Sequence, residues 1–193
     1  MVLRRTFFCL LMTLSLTLLG CIGAQQAVRT KVQTPLVSVF VMQFPDRGEV
    51  EAVPVEYSEK IAGELRRRNL LVQEPPAEAF LEAFRSRRSI DQRLKVIQAA
   101  HPGLFLMLVE SEVRFYSFLS GKFRWNVTGR VTFVQPDGTS QTSPFELAAF
   151  LDFDHQNEAD ALRYVELAVA ERIGQAADRF LAGVDSVEVV LPN

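Results

Sequence analysis

From Lys122 to Val134 every second residue is apolar or glycine: Phe123, Trp125, Val127, Gly129, Val131 and Phe133 alternate with Lys122, Arg124, Asn126, Thr128, Arg130 and Thr132. Successive side chains on a strand point to opposite faces, so the pattern demands a strand with one dry and one wet face. Ser120-Gly121 before it and Pro136-Asp137-Gly138 after it are turn signals. The following stretch alternates too, with Phe145, Leu147, Ala149, Leu151 and Phe153 in one phase. Upstream, residues 104–109 (LFLMLV) form an unbroken apolar run of strand length, which suits a central strand covered on both faces. Residues 104–153 therefore predict a three-stranded antiparallel meander.

The remaining elements follow from period and punctuation. Residues 36–44 (LVSVFVMQF) are β-branched and apolar and end at Pro45-Asp46 and Gly48, a first strand followed by a polar link. Tyr57, Ile61 and Leu65 recur every fourth residue with Ala62 alongside, while Glu59, Glu64, Arg66, Arg67 and Arg68 fill the other face of a short helix. Residues 70–72 read as a second strand. Pro75-Pro76 then open a helix with Ala77, Phe80, Leu81 and Phe84 on its apolar side, ended by Arg85, Arg87 and Arg88. Ser89 and Gln92 fit a capping box ahead of Ile90, Leu94 and Ile97, and His101-Pro102-Gly103 terminates that helix. A long helix over residues 159–182 buries Leu162, Val165, Val169, Ile173, Ala176 and Phe180, with Gly183 as its cap, and residues 187–191 (VEVVL) suit a short edge strand. The expected fold is α/β (α+β): a two- to three-layer sandwich with a mixed sheet of about five strands and three to four helices.

At the amino end, Arg4 and Arg5 precede an apolar run over residues 7–19, then Gly20 and Cys21. A bilayer span needs about 20 apolar residues, and Gln25-Gln26 cut this run short. Leu18-Leu19-Gly20-Cys21 resembles the lipobox of the bacterial lipoprotein signal. The resemblance implies cleavage before Cys21 and acyl chains on its sulfur and new amino group, and two or more chains hold a protein on a membrane. Ile22 in place of an acidic residue implies, by analogy with enterobacterial sorting, the outer membrane. The expected organisation is a signal over residues 1–20, a lipidated tether over 21–35 and one domain over 36–193. Without its first 20 residues, which hold two arginines, the 193-residue chain keeps 173 residues, 19 basic and 23 acidic, a formal charge of −4 that carries no nucleic-acid footprint. Cys9 leaves with the signal, so no disulfide staples the domain; its core must suffice, and 15 phenylalanines in a chain that is 48% hydrophobic supply one.

Chemistry finds little to use. There is no G-x-S-x-G, P-loop, G-x-G-x-x-G, H-E-x-x-H or C-x-x-C. Asp152, Asp154, His155, Glu158 and Asp160 are the best metal candidates, but the glycine of an EF-hand loop is missing, and Asp154, Asn157 and Glu158 suit a helix start. No catalytic residue, cofactor or resident metal is expected, and Asn126-Val127-Thr128 is a sequon with no use in a bacterium. The cations Arg66, Arg67 and Arg68 complement a helix C-terminus or meet an acidic partner or anionic headgroups. The segment RFYSFLSGKFRW (residues 114–125) is the main surface candidate. If Phe115, Phe123 and Trp125 face the core, then Tyr116, Phe118 and Leu119 cannot all join them, so a helix, a bulge-shifted register or a partner must cover some of these side chains.

From residue 36 to 183 the order of elements resembles the α/β domain of curli-secretion (CsgG-like) lipoproteins, of LpoB and of the amino-terminal domain of TolB. The resemblance rests on VSVFVMQF, YSEKIAGELRRRNLLVQ, IQAAHPGLFLMLVESEV, the turn at Pro136-Asp137-Gly138 and the closing helix. Together with the lipobox it leads us to expect a non-enzymatic, lipid-anchored accessory protein on the periplasmic side of the outer membrane that scaffolds an envelope assembly, with Tyr116, Phe118, Leu119 and Arg66, Arg67 and Arg68 as the candidate contact residues. A protein partner is expected, with self-association open. Two other readings stand beside it: a lipopolysaccharide-assembly lipoprotein resembling LptE, and a metal-dependent binder or enzyme around residues 152–160.

Overall fold

The computed structural model describes residues 34–44, 49–74, 83–84, 89–119, 121–152 and 157–183. In chain order these form β1 (Thr34–Phe44), β2 (Glu49–Ala52), α1 (Val55–Arg67), β3 (Leu70–Gln73), α2 (Ile90–Ala100), β4 (Phe105–Leu119), β5 (Lys122–Val134), β6 (Ser140–Leu151) and α3 (Glu158–Ala182). The six strands make one mixed sheet in the order β2-β1-β4-β5-β6, with β3 also on β1. The sheet thus has one strand more than the sequence led us to expect. The extra one is β2, EVEA in the polar link, which pairs antiparallel with residues 41–44 and whose alternation of Glu49 and Glu51 with Val50 and Ala52 is only four residues long.

β1 runs parallel to β4, Leu36 opposite Phe105 and Gln43 opposite Glu112. Its other edge is shared by β3 at the start and β2 at the end. Pro35, expected to close the tether, instead lies within β1 opposite Leu71. The predicted meander β4-β5-β6 is present and antiparallel throughout. Because β4 has 15 residues against 11 in β1, the β4–β5 hairpin projects past β1. At about 3.3 Å per residue its tip stands roughly 45 Å from the level of Leu36.

Helices α1 and α3 cover one face, where Tyr57, Ile61, Leu65, Leu162, Val169 and Ile173 meet Leu36, Met107, Val127 and Phe133. The stripe predicted for α3 is buried in full. Phe180 stacks on Phe133 at 5.0 Å and meets Phe105 edge-on at 6.0 Å. Over the other face, among the described residues, α2 and Ala83 cover Val37, Val39, Val41, Leu106, Leu108 and Val134. Among the described residues the sandwich is therefore three layers deep where α2 lies and two layers deep elsewhere. Residues 105–109 are all buried, as an apolar run between two layers requires, and Thr132, in the wet phase of β5, is buried under the third layer and bonded to Thr142 at 3.1 Å.

Caps and turns follow local chemistry. The capping box holds, Gln92 N–H donating to Ser89 Oγ at 3.3 Å and Ser89 N–H to Gln92 Oε1 at 3.1 Å. Asn157 caps α3 by accepting from Asp160 N–H at 2.9 Å. Gly183 is the C-cap of α3, as expected, in a right-handed conformation at φ −87°. The helix opened by Pro75-Pro76 (Ala77, Phe80, Leu81), Phe153 and residues 187–191 lie outside the described residues.

Tyr57 on α1 is fully buried with its hydroxyl 2.9 Å from Ser111 Oγ on β4. Burial pushes its phenol well above the ordinary tyrosine range, against a smaller opposing effect of that bond. The neutral form is thus favoured in the folded state, and the unfolded chain ionises first as pH rises through about 10. We expect the stability that Tyr57 contributes to be whole below pH ~10 and to fall by about 1.4 kcal/mol per pH unit above it. Tyr57→Phe should remove that share of the alkaline slope and cost about 1 kcal/mol at pH 7, as measured by urea unfolding at both pH values.

Candidate functional site

At the projecting end of the meander the register of β4 shifts between Phe115 and Ser117. Phe115 pairs with Trp125, Ser117 with Arg124 and Phe118 with Phe123, which leaves Tyr116 as the extra, bulged residue. A one-residue bulge flips the face of everything beyond it. Phe118 is thereby brought onto the same face as Phe115, Phe123 and Trp125, which answers the parity conflict that the sequence poses. The rings form a contiguous cluster: Phe115 lies 5.5 Å from Trp125 and 5.9 Å from Phe123, and Phe118 lies 5.7 Å from Phe123. On the opposite face Tyr116 stacks over the Arg124 guanidinium at 4.4 Å, next to Phe150 in the adjoining strand.

The cluster extends beyond the helices that cover the rest of its face. Phe115, Tyr116 and Phe118 remain 52%, 60% and 55% exposed, where fully covered rings would be near zero. Two donors beside them, Trp125 Nε1 and Arg124 Nε, are buried without a hydrogen-bond partner. Lys122 at the turn pairs with Asp152 at 3.5 Å, and Arg114 pairs with Glu112. The side chain of Leu119 lies outside the described residues. A cleft of about 440 Å³ opens alongside, lined by Lys122, Phe150, Asp152, Asp160, Arg163 and Tyr164.

Other sequence candidates fall elsewhere. Arg66, Arg67 and Arg68 stand at the far end of α1, near Thr34. Arg67 and Arg68 both pair with Glu64, and Arg68 also reaches Asp178 at 3.0 Å, so α1's own carboxylate and α3 hold them. Arg66 is exposed. Of the 152–160 set, Asp152 pairs with Lys122 and Asp160 with Arg163, while Asp154 and His155 lie outside the described residues. Among the described residues no group of three acidic, histidine or cysteine side chains could hold a metal. Cys21 lies outside them.

Sequence reading missed one cluster altogether. Glu110 on β4 is 3% exposed and accepts from Arg93 Nη1 of α2 at 2.9 Å, from Arg130 Nε of β5 at 2.7 Å and from Gln43 of β1. Arg93 also lies over the Phe84 ring at 5.4 Å. The one signal was a carboxylate directly after the unbroken apolar run of residues 104–109, within the same strand.

No family model matches this sequence, and no curated protein matches it. Among solved structures it is similar to a minor lipoprotein of Acinetobacter baumannii, at 12% identity and TM-score 0.42 over 77% of this chain and 94% of that one. It is also similar to lipoprotein GNA1162 of Neisseria meningitidis, at 10% identity and TM-score 0.39 over 79% and 100%. Rare lipoprotein B of Shewanella oneidensis follows at 15% identity and TM-score 0.33 over 77% and 92%. These are likenesses of outline, and nothing those proteins do is transferred by them.

Proposed function

We propose that this chain is a non-enzymatic accessory lipoprotein of a bacterial envelope, held by acyl chains on Cys21 and facing the periplasm from the outer membrane. The β4–β5 tip is its contact surface for an envelope protein. The observation that carries this reading is the tip itself: three aromatics more than half exposed, beside two buried donors that lack an acceptor. Aromatic and arginine side chains of this kind dominate interface energetics. Position supports it as well. The tether joins at Thr34, and the tip lies at the opposite end of the sheet, about 50 Å away.

The test is crosslinking in the native membrane, comparing the wild type with a Tyr116→Ser, Phe118→Ser double variant. Loss of one hot-spot aromatic should weaken the crosslinked species at least about tenfold. An unchanged crosslinking pattern removes the tip from the function. Mass spectrometry of the purified protein checks the anchor separately: a chain beginning upstream of Cys21, or Cys21 without acyl groups, ends the lipoprotein reading.

A further inference from the structure

Apart from the tip, one long edge of the sheet carries no described strand. β6 is its last strand, and no other described strand bonds to its outer edge. Pro144 sits within an unbroken ladder to β5, opposite Arg130. A residue without an N–H leaves such a ladder intact only if its nitrogen faces the other way. Pro144, Glu146, Ala148 and Phe150 therefore turn their backbone groups outward. Pro144 and Glu146 blunt the first half of the edge, as proline and charge do on protected edges. The second half, Leu147-Ala148-Ala149-Phe150-Leu151, has no charge, proline or glycine. That composition accepts another strand.

We propose that β6 of a second copy covers this edge, running antiparallel about a twofold axis through Ala148. In that register Ala148 faces itself, Leu147 faces Ala149, Phe145 faces Leu151 and Glu146 faces Phe150. The outward backbone groups of Glu146, Ala148 and Phe150 all gain partners, and Pro144 falls opposite Asp152, beyond the end of the strand. Neighbouring registers are worse. An axis through Ala149 sets Glu146 against Asp152, like charges directly opposed. An axis through Leu147 sets Pro144 against Phe150 and loses a donor within the strand. A two-stranded isologous contact of this kind closes on itself and does not propagate. The inference is independent of what the tip binds.

Cysteine pairing in the native membrane tests it on the full chain. Ala148→Cys should be joined to itself by a short bismaleimide, giving a species of doubled mass. Glu146→Cys and Phe150→Cys should be joined to each other when produced together, and Gln141→Cys, outside the register, should stay monomeric. Ala148→Pro added to the mixed pair should abolish the link while amide exchange over β5 stays slow, because the ladder to β5 does not use that N–H. Ala148→Cys remaining monomeric would overturn the proposal and leave the edge to a segment of the same chain. So would its capture of a different polypeptide, or a dimer just as strong from Gln141→Cys.

Discussion

Glu110→Ala is expected to lower the unfolding free energy by about 3–5 kcal/mol, the usual cost of removing one partner from a buried ion pair. The carboxylate is 3% exposed and satisfies Arg93, Arg130 and Gln43 at once. The two cations differ in their way out. Arg130 is 41% exposed and can turn to water, whereas Arg93 is 10% exposed, so the unpaired charge falls mainly on Arg93. Arg93 belongs to α2, which otherwise rests on the sheet through Leu94 and Ile97. Loss of the carboxylate should therefore loosen α2 before the meander, seen as faster amide exchange over residues 90–100 at a denaturant concentration where β5 is still protected. Removing both partners of the buried pair should be milder than removing one: Glu110→Met with Arg93→Met is expected to recover most of the loss, since no charge is stranded. A double variant as unstable as Glu110→Ala would show that the cluster stabilises by more than its charges.

The difference between what could and could not be read from the residues alone follows from range. The alternation in β5 and the stripe of α3 are local: each element needs only its own spacing to say which face is dry. The capping box at Ser89 is local in the same sense. Glu110 is different, because its burial depends on Arg93, Arg130 and Gln43 arriving from three other elements, and no window of sequence contains them. The tip lies between these cases. Parity alone showed that Tyr116 and Phe118 could not share a face with Phe115 in a regular strand, and a bulge was one of the ways out. Which residue bulges was not decided by parity. Tyr116 takes the place where its ring can stack on Arg124, and Phe118 then rejoins the aromatic face. β2 was missed because its alternation, Glu49 and Glu51 against Val50 and Ala52, is too short to stand out in a polar link, and pairing with β1 makes it a strand.

Gly129→Ala should be the other severe substitution, with a loss of about 2–3 kcal/mol despite the entropic advantage of alanine over glycine. Gly129 faces the α3 side in the middle of β5, between β4 and β6, with the Phe145 ring laid across it. A methyl group there would lie 2.5 Å from Phe145 Cζ and closer still to the carbonyl oxygen of Glu110. The ring can tilt at modest cost, but the carbonyl is main chain in the central strand. Moving it displaces Glu110 itself, so the damage should spread to the Arg93–Glu110–Arg130 cluster on the opposite face. Two consequences separate this from simple crowding by the ring. Phe145→Leu in the Gly129→Ala background should recover only the smaller part of the loss. Amide exchange over α2 should quicken in Gly129→Ala although α2 touches neither residue. If Phe145→Leu restores full stability, the ring alone was in the way, and the main chain of β4 has more room than its pairing indicates.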